Sequence, residues 1–143
     1  MSPRDLNTQV VVRRLVLIDN LLQTLSTLAD DPDRLRDDPV ALLAVERILT
    51  QLVDLASDVN AHIVSARLRR APGTSRDSFE LLARADVIST ELANELGPSV
   101  GLLNVLVHEY ADIDPNLVRR AVPLALDVYR RYVRAVRDWI LAL

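Results

Sequence analysis

The feature that most limits what this chain can become is a spacing of apolar residues by alternating fours and threes, kept up over long stretches. Val11, Leu15, Ile18, Leu22 and Leu25 follow it, as do Val45, Leu49, Leu52, Ala56, Val59 and Ile63. A helix advances about 100° per residue, so such sets fall on one stripe, whereas a strand needs alternation by twos. The first set predicts a helix from about Asp5 to Leu28 and the second a helix from Val40 to about Arg70. A third stripe, Val118, Val122, Ala125, Tyr129, Tyr132, Val136 and Ile140, runs towards the last residue behind Asp114 as N-cap and Pro115 as first helical residue. Pro123 inside it predicts a kink. With only three glycines and 3% aromatics the composition suits helices packed by aliphatic side chains, and the class is all-α.

The segments between the stripes are shorter. Asp30 to Pro39 holds five aspartates and two prolines and reads as a solvated connector. After a break at Ala71–Thr74, Asp77 with Glu80 three residues on resembles a capping box opening a short helix that carries Phe79, Leu81 and Leu82. A further helix covers about Ile88 to Leu96, and Gly97–Pro98 is expected to stop or bend it, since the residue before proline disfavours helical geometry. From Pro98 to about Ala111 the sequence PSVGLLNVLVHEYA is almost wholly apolar, so this helix must be buried on most sides or sit in a subunit interface. With 143 residues, half of them hydrophobic, the chain is expected to be one domain spanning 1–143, an up-and-down bundle of about five helices.

Much chemistry is excluded. Without cysteine there is no disulfide, thiolate metal site or thiol nucleophile. No two histidines stand at metal-ligand spacing, no glycine-rich loop could cradle phosphate, and the serines lack a nucleophile-elbow context. No metal or cofactor is expected. A net charge of −3 excludes a globally basic nucleic-acid binder, although all 17 basic residues are arginine, the better fork for phosphates. Arg67, Arg69 and Arg70 complement the dipole at the end of the second long helix and leave a role in RNA-phosphate binding open. No run of 18 uncharged apolar residues exists, so no membrane segment is expected and a cytoplasmic protein is the default. Attention falls on polar residues in the apolar helix. Asn104 and His108, four apart, share a face, and Glu109 and Tyr110 follow directly. Buried there, each needs a hydrogen-bond partner, a pocket or an interface. His62 reads as a structural histidine, and residue types alone leave His108 open between that role and a functional one.

The stretch LLNVLVHEYADID resembles the signature of the HepT-like branch of the HEPN superfamily, an Arg, four residues, His, one residue and Tyr. DLASDVNAHIVSAR resembles the family's second-helix segment around an Asn and a His, and SRDSFELLARADVIS its short-helix segment with Phe and paired leucines. The likeness covers residues 40–120 in detail. It implies a small helical ribonuclease toxin whose antitoxin is an MNT-type nucleotidyltransferase, and a metal-independent cleavage of tRNA or mRNA in which a ribose 2′-hydroxyl attacks the adjacent phosphate. His108 matches the His that acts as general acid or base, a task suited to an imidazole. Asn104 matches the Asn beside the Arg, and Tyr110 the Tyr that receives AMP from the partner nucleotidyltransferase. The Arg position itself is Leu103, which offers no donor to a phosphorane-like transition state. The resemblance therefore implies a toxin-type endoribonuclease attenuated roughly 10²- to 10³-fold, by analogy with deleting an oxyanion-hole donor. Its alternative is a non-catalytic partner subunit that binds a nucleotidyltransferase.

Positions 103 and 108 lie about 140° apart on an ideal helix, so they do not share a face. A two-fold axis near this helix gathers both copies' motifs around one cleft, and a homodimer is expected. Light scattering should give about twice the 16.0 kDa chain mass; a monomer at micromolar concentration would remove the composite site.

Overall fold

Each of the three stripes becomes a long helix in the computed structural model, which describes residues 5–108 and 114–143. The elements run α1 (Thr8–Leu28), α2 (Pro32–Asp37), α3 (Pro39–Leu68), α4 (Ser75–Arg84), α5 (Thr90–His108) and α6 (Pro115–Leu141). The chain is all-α over the described residues, which contain no strand. All five stripe residues of α1 and all six of α3 are buried, and in α6 only Ile140 is partly exposed. Burying each Leu, Ile or Val is worth about 1.5–3 kcal/mol, so these faces fix how α1, α3 and α6 pack together.

The acidic connector is not a plain loop. Asp31 accepts from Asp33 N at 3.0 Å, Pro32 takes the first helical turn and Leu35 is buried, which together make the short α2. Asp38 then caps α3 by accepting from Val40 N and Ala41 N. Two of the five aspartates thus serve as N-caps, a role composition cannot distinguish from solvation. The cap of α4 is Thr74, three residues before the expected one: its hydroxyl accepts from Asp77 N, and Asp77 reaches back to Gly73 N. At the far end of α3, Arg69 adopts the left-handed conformation that ends the helix (φ 54°). Arg67 lies 5.2 Å over the Trp139 ring, so that cation has a local partner.

Gly97 and Pro98 do not break the chain. α5 runs through both from Thr90 to His108, because Leu92, Ala93, Leu96 and Leu106 bury one side of it and packing overrides local propensity. Carbonyls beside the proline are engaged by side chains: the Ser99 hydroxyl donates to Leu96 O, and Arg76 donates to Gly97 O. α6 likewise continues through Pro123.

A polar cluster sits within the core. Tyr132, fully buried, donates to Asn60 Oδ1 at 2.6 Å; Asn60 Nδ2 donates to Ser78 Oγ at 3.0 Å; and Ser78 donates to Ser75 O at 2.6 Å. Burial pushes the Tyr132 phenol well above its ordinary pKa, so it stays a donor. His62, as expected, is structural: its Nε2 accepts from Asn7 N at 2.8 Å and ties the start of α1 to α3. Tyr132→Phe strands the Asn60 oxygen without its phenol donor and should cost about 1–3 kcal/mol. A lowered urea midpoint with an unchanged slope checks this, and an unaltered midpoint would show the cluster to be dispensable.

Candidate functional site

The candidate site is built where α5 and α6 pack against each other on either side of the 109–114 segment. Two polar contacts set their register. Ser99, whose hydroxyl proton goes to Leu96 O, accepts from Tyr129 at 2.8 Å. Glu95, one turn earlier, pairs with Arg131 at 2.8 Å, and Arg131 also reaches Asp127 at 3.0 Å. The hydrogen bond that Arg131 donates to Glu95, followed by the one to Asp127 and the charge of both carboxylates, holds its guanidinium pKa above the usual value against the effect of burial. The Tyr129 phenol is pushed up by burial, partly offset by Ser99.

Beside these contacts, α5 and α6 line a groove of about 590 Å³. Leu102, Leu103, Leu117, Ala121, Leu124 and Val128 give it apolar walls, the Tyr129–Ser99 pair lies among its lining residues, and Glu95 and Asp127 mark one end. Arg120 also lines it and, unlike Arg131, is held by no carboxylate among the described residues.

The predicted site residues distribute unevenly. Leu103 is half-buried, facing α6 across the groove. Asn104 is exposed, so the expectation that it needs a partner to offset burial does not hold within one chain: it lies on the side of α5 turned from the core. His108 is the last residue of α5, and Tyr110 lies outside the described residues, as does the expected end of the helix at Ala111. Between Gly97 and Leu106, α5 has only Leu106 buried. Of the two sequence-based options for this apolar segment, burial on most sides does not hold over its described residues, and a surface that needs another cover remains.

Sequence reasoning missed Arg120 and the Tyr129–Ser99 pair. The signal was there for Tyr129, at a stripe position of α6, but its partner on another helix was not. Among the described residues, no group of three or more His, Asp or Glu could hold a metal ion, and no helix is long and apolar enough to cross a membrane.

Comparison with known proteins identifies the family and the fold. The model of the family described as ribonuclease HepT-like matches residues 17–136, which takes in all of α5 and most of α6. The chain is 40% identical over 101 residues to the tRNA nuclease HepT of Aphanizomenon flos-aquae, covering 71% of this chain and 69% of that protein. It is 23% identical over 128 residues to the mRNA nuclease HepT of Shewanella oneidensis, covering 90% and 96%. Its fold is that of a solved structure of the tri-AMPylated Shewanella oneidensis HEPN toxin in complex with MNT antitoxin. The TM-score is 0.83 at 23% identity, over 90% of this chain and 97% of that one.

Proposed function

Because this chain belongs to the ribonuclease HepT-like family, we propose that it is the toxin of a HEPN/MNT toxin–antitoxin pair, an endoribonuclease that acts in the cytoplasm on tRNA or mRNA. The observation that carries this reading is the family match across residues 17–136, because it contains the whole LNVLVHEY stretch, which begins on α5, and most of α6 after it. The 40% identical tRNA nuclease puts tRNA ahead of mRNA as the first substrate to test.

His108 does the acid–base work. One imidazole takes the proton of a ribose 2′-hydroxyl, and that oxygen attacks the adjacent phosphorus. The bond from phosphorus to the 5′-oxygen breaks, and the leaving oxygen receives a proton from the conjugate acid. The products are a 2′,3′-cyclic phosphate and a 5′-hydroxyl. The nucleophile belongs to the RNA, so the step calls for a base, an acid and a cation rather than a metal-bound water. Asn104, exposed one turn before His108, contributes a hydrogen-bonding group on the same face. The poorly covered half of α5 becomes the two-fold interface of a homodimer, around which both motifs gather.

Leu103 leaves the motif helix without a cation for the phosphorane. On that helix alone the site is attenuated, by roughly 10²- to 10³-fold. This substitution also favours a second reading, a non-catalytic subunit that only binds its nucleotidyltransferase. Tyr110 receives AMP from that partner, and the bulky anionic phosphodiester repels RNA phosphates and blocks the cleft.

Two measurements test this. Purified chain incubated with tRNA and with mRNA should yield fragments ending in cyclic phosphate, and His108→Ala should abolish them; intact RNA with both proteins would favour the binding subunit. Intact-mass spectrometry after incubation with the cognate nucleotidyltransferase, ATP and magnesium should show AMP additions that Tyr110→Phe removes. Equal labelling of both proteins, or none in either, would take Tyr110 out of the site.

A further inference from the structure

The α5–α6 groove holds one feature the motif does not account for. Leu103 occupies one wall, and the facing helix contributes Arg120, an exposed guanidinium that neither Glu95 nor Asp127 holds. Its neighbour Arg119 differs, donating to Asn116 Oδ1 at 2.7 Å. The height of Arg120 along the hairpin follows from the contacts that set the register. Tyr129 stands opposite Ser99, and Arg131 opposite Glu95 one turn earlier. Carried on along both antiparallel helices at 1.5 Å per residue, that register brings Arg120 level with the last turn of α5, which ends at His108.

We propose that Arg120 of α6 is a catalytic residue that binds the scissile phosphate from across the α5–α6 groove, supplying the charge that Leu103 withholds from the motif helix. This rests on the ribonuclease reading above. The chemistry needs a fixed cation able to give two parallel N–H donors to phosphate oxygens, not a cation at one particular sequence position. Arg120 meets that need because it lines the groove beside its leucines and is exposed to water. Arg131 cannot serve: both of its neighbours are carboxylates, and they neutralise it.

The test is a double-mutant cycle on the purified chain with tRNA at saturating concentration, so that kcat is read apart from binding. Arg120→Ala should lower kcat by ~10-fold or more without lowering the melting temperature, since an exposed arginine is removed. Leu103→Arg should raise kcat by ~10-fold or more in the Arg120→Ala background and by about threefold or less in the wild type, because the two arginines do one task. Arg119→Ala, which removes the same surface charge one residue away, should change kcat by less than about threefold. If Leu103→Arg has equal effects in both backgrounds, or if Arg120→Ala cleaves like the wild type, Arg120 is overturned and the ribonuclease reading stands. Cleavage that appears only when Leu103→Arg is present also overturns it. No cleavage by any of the four proteins of the cycle sinks the ribonuclease reading, and this inference with it.

Discussion

The position of the motif helix depends on the buried hydroxyl of Tyr132. It joins α6 to α3 through Asn60, and Asn60 joins α3 to α4 through Ser78. The Tyr132 ring meets Phe79 of α4 and Tyr129 of α6 edge-on, with centroids 6.0 and 6.3 Å away, and Tyr129 passes the connection to Ser99 of α5. Four helices are thus placed by one set of contacts. Aliphatic stripes favour burial but can slide past one another by a turn at modest cost, whereas buried hydrogen bonds are lost outright when the register shifts. The cluster selects one register among those the stripes allow.

How far this was legible in the sequence depends on the range of the interaction. The three long helices could be read because their signal is periodic and local: every α1 and α3 stripe residue named from spacing is buried. Thr74 as the α4 cap and the aspartates capping α2 and α3 are local too, but several residues competed for each role and only backbone geometry chose among them. The passage of α5 through Gly97–Pro98 was not legible, because what keeps the helix whole comes from elsewhere: the apolar side it buries against the core, and Arg76 of α4 on the Gly97 carbonyl. The candidate site divides in the same way. Asn104, His108 and the departure at Leu103 are written in one stretch, while Arg120 is 17 positions further on and acquires meaning only when α6 folds back.

Uneven burial along α5 links fold to function. Its first half buries Leu92, Ala93 and Leu96, as a core helix should. Its second half, just as apolar in sequence, leaves Val100, Leu102, Leu103 and Val105 half-covered, and across the groove Leu124 of α6 is 69% exposed. A contiguous apolar surface of this kind is unfavourable in a lone chain and favourable in an interface. Leu103 and Asn104 lie on this half of α5, so whatever covers the apolar surface also lies beside them.

The groove also explains why leucine is tolerated at 103 and why an arginine is better placed at 120. A guanidinium at 103 would begin among Leu102, Leu117 and Leu124, and holding its charge near those walls in the absence of RNA costs desolvation. Leucine there removes that cost and adds apolar contact to the groove wall. Position 120 avoids the conflict. It lies on the exposed side of α6, where the head group stays hydrated in the free protein and gives up that water only when a phosphate takes its place. An arginine at 120 therefore carries its charge without the burial that position 103 would impose.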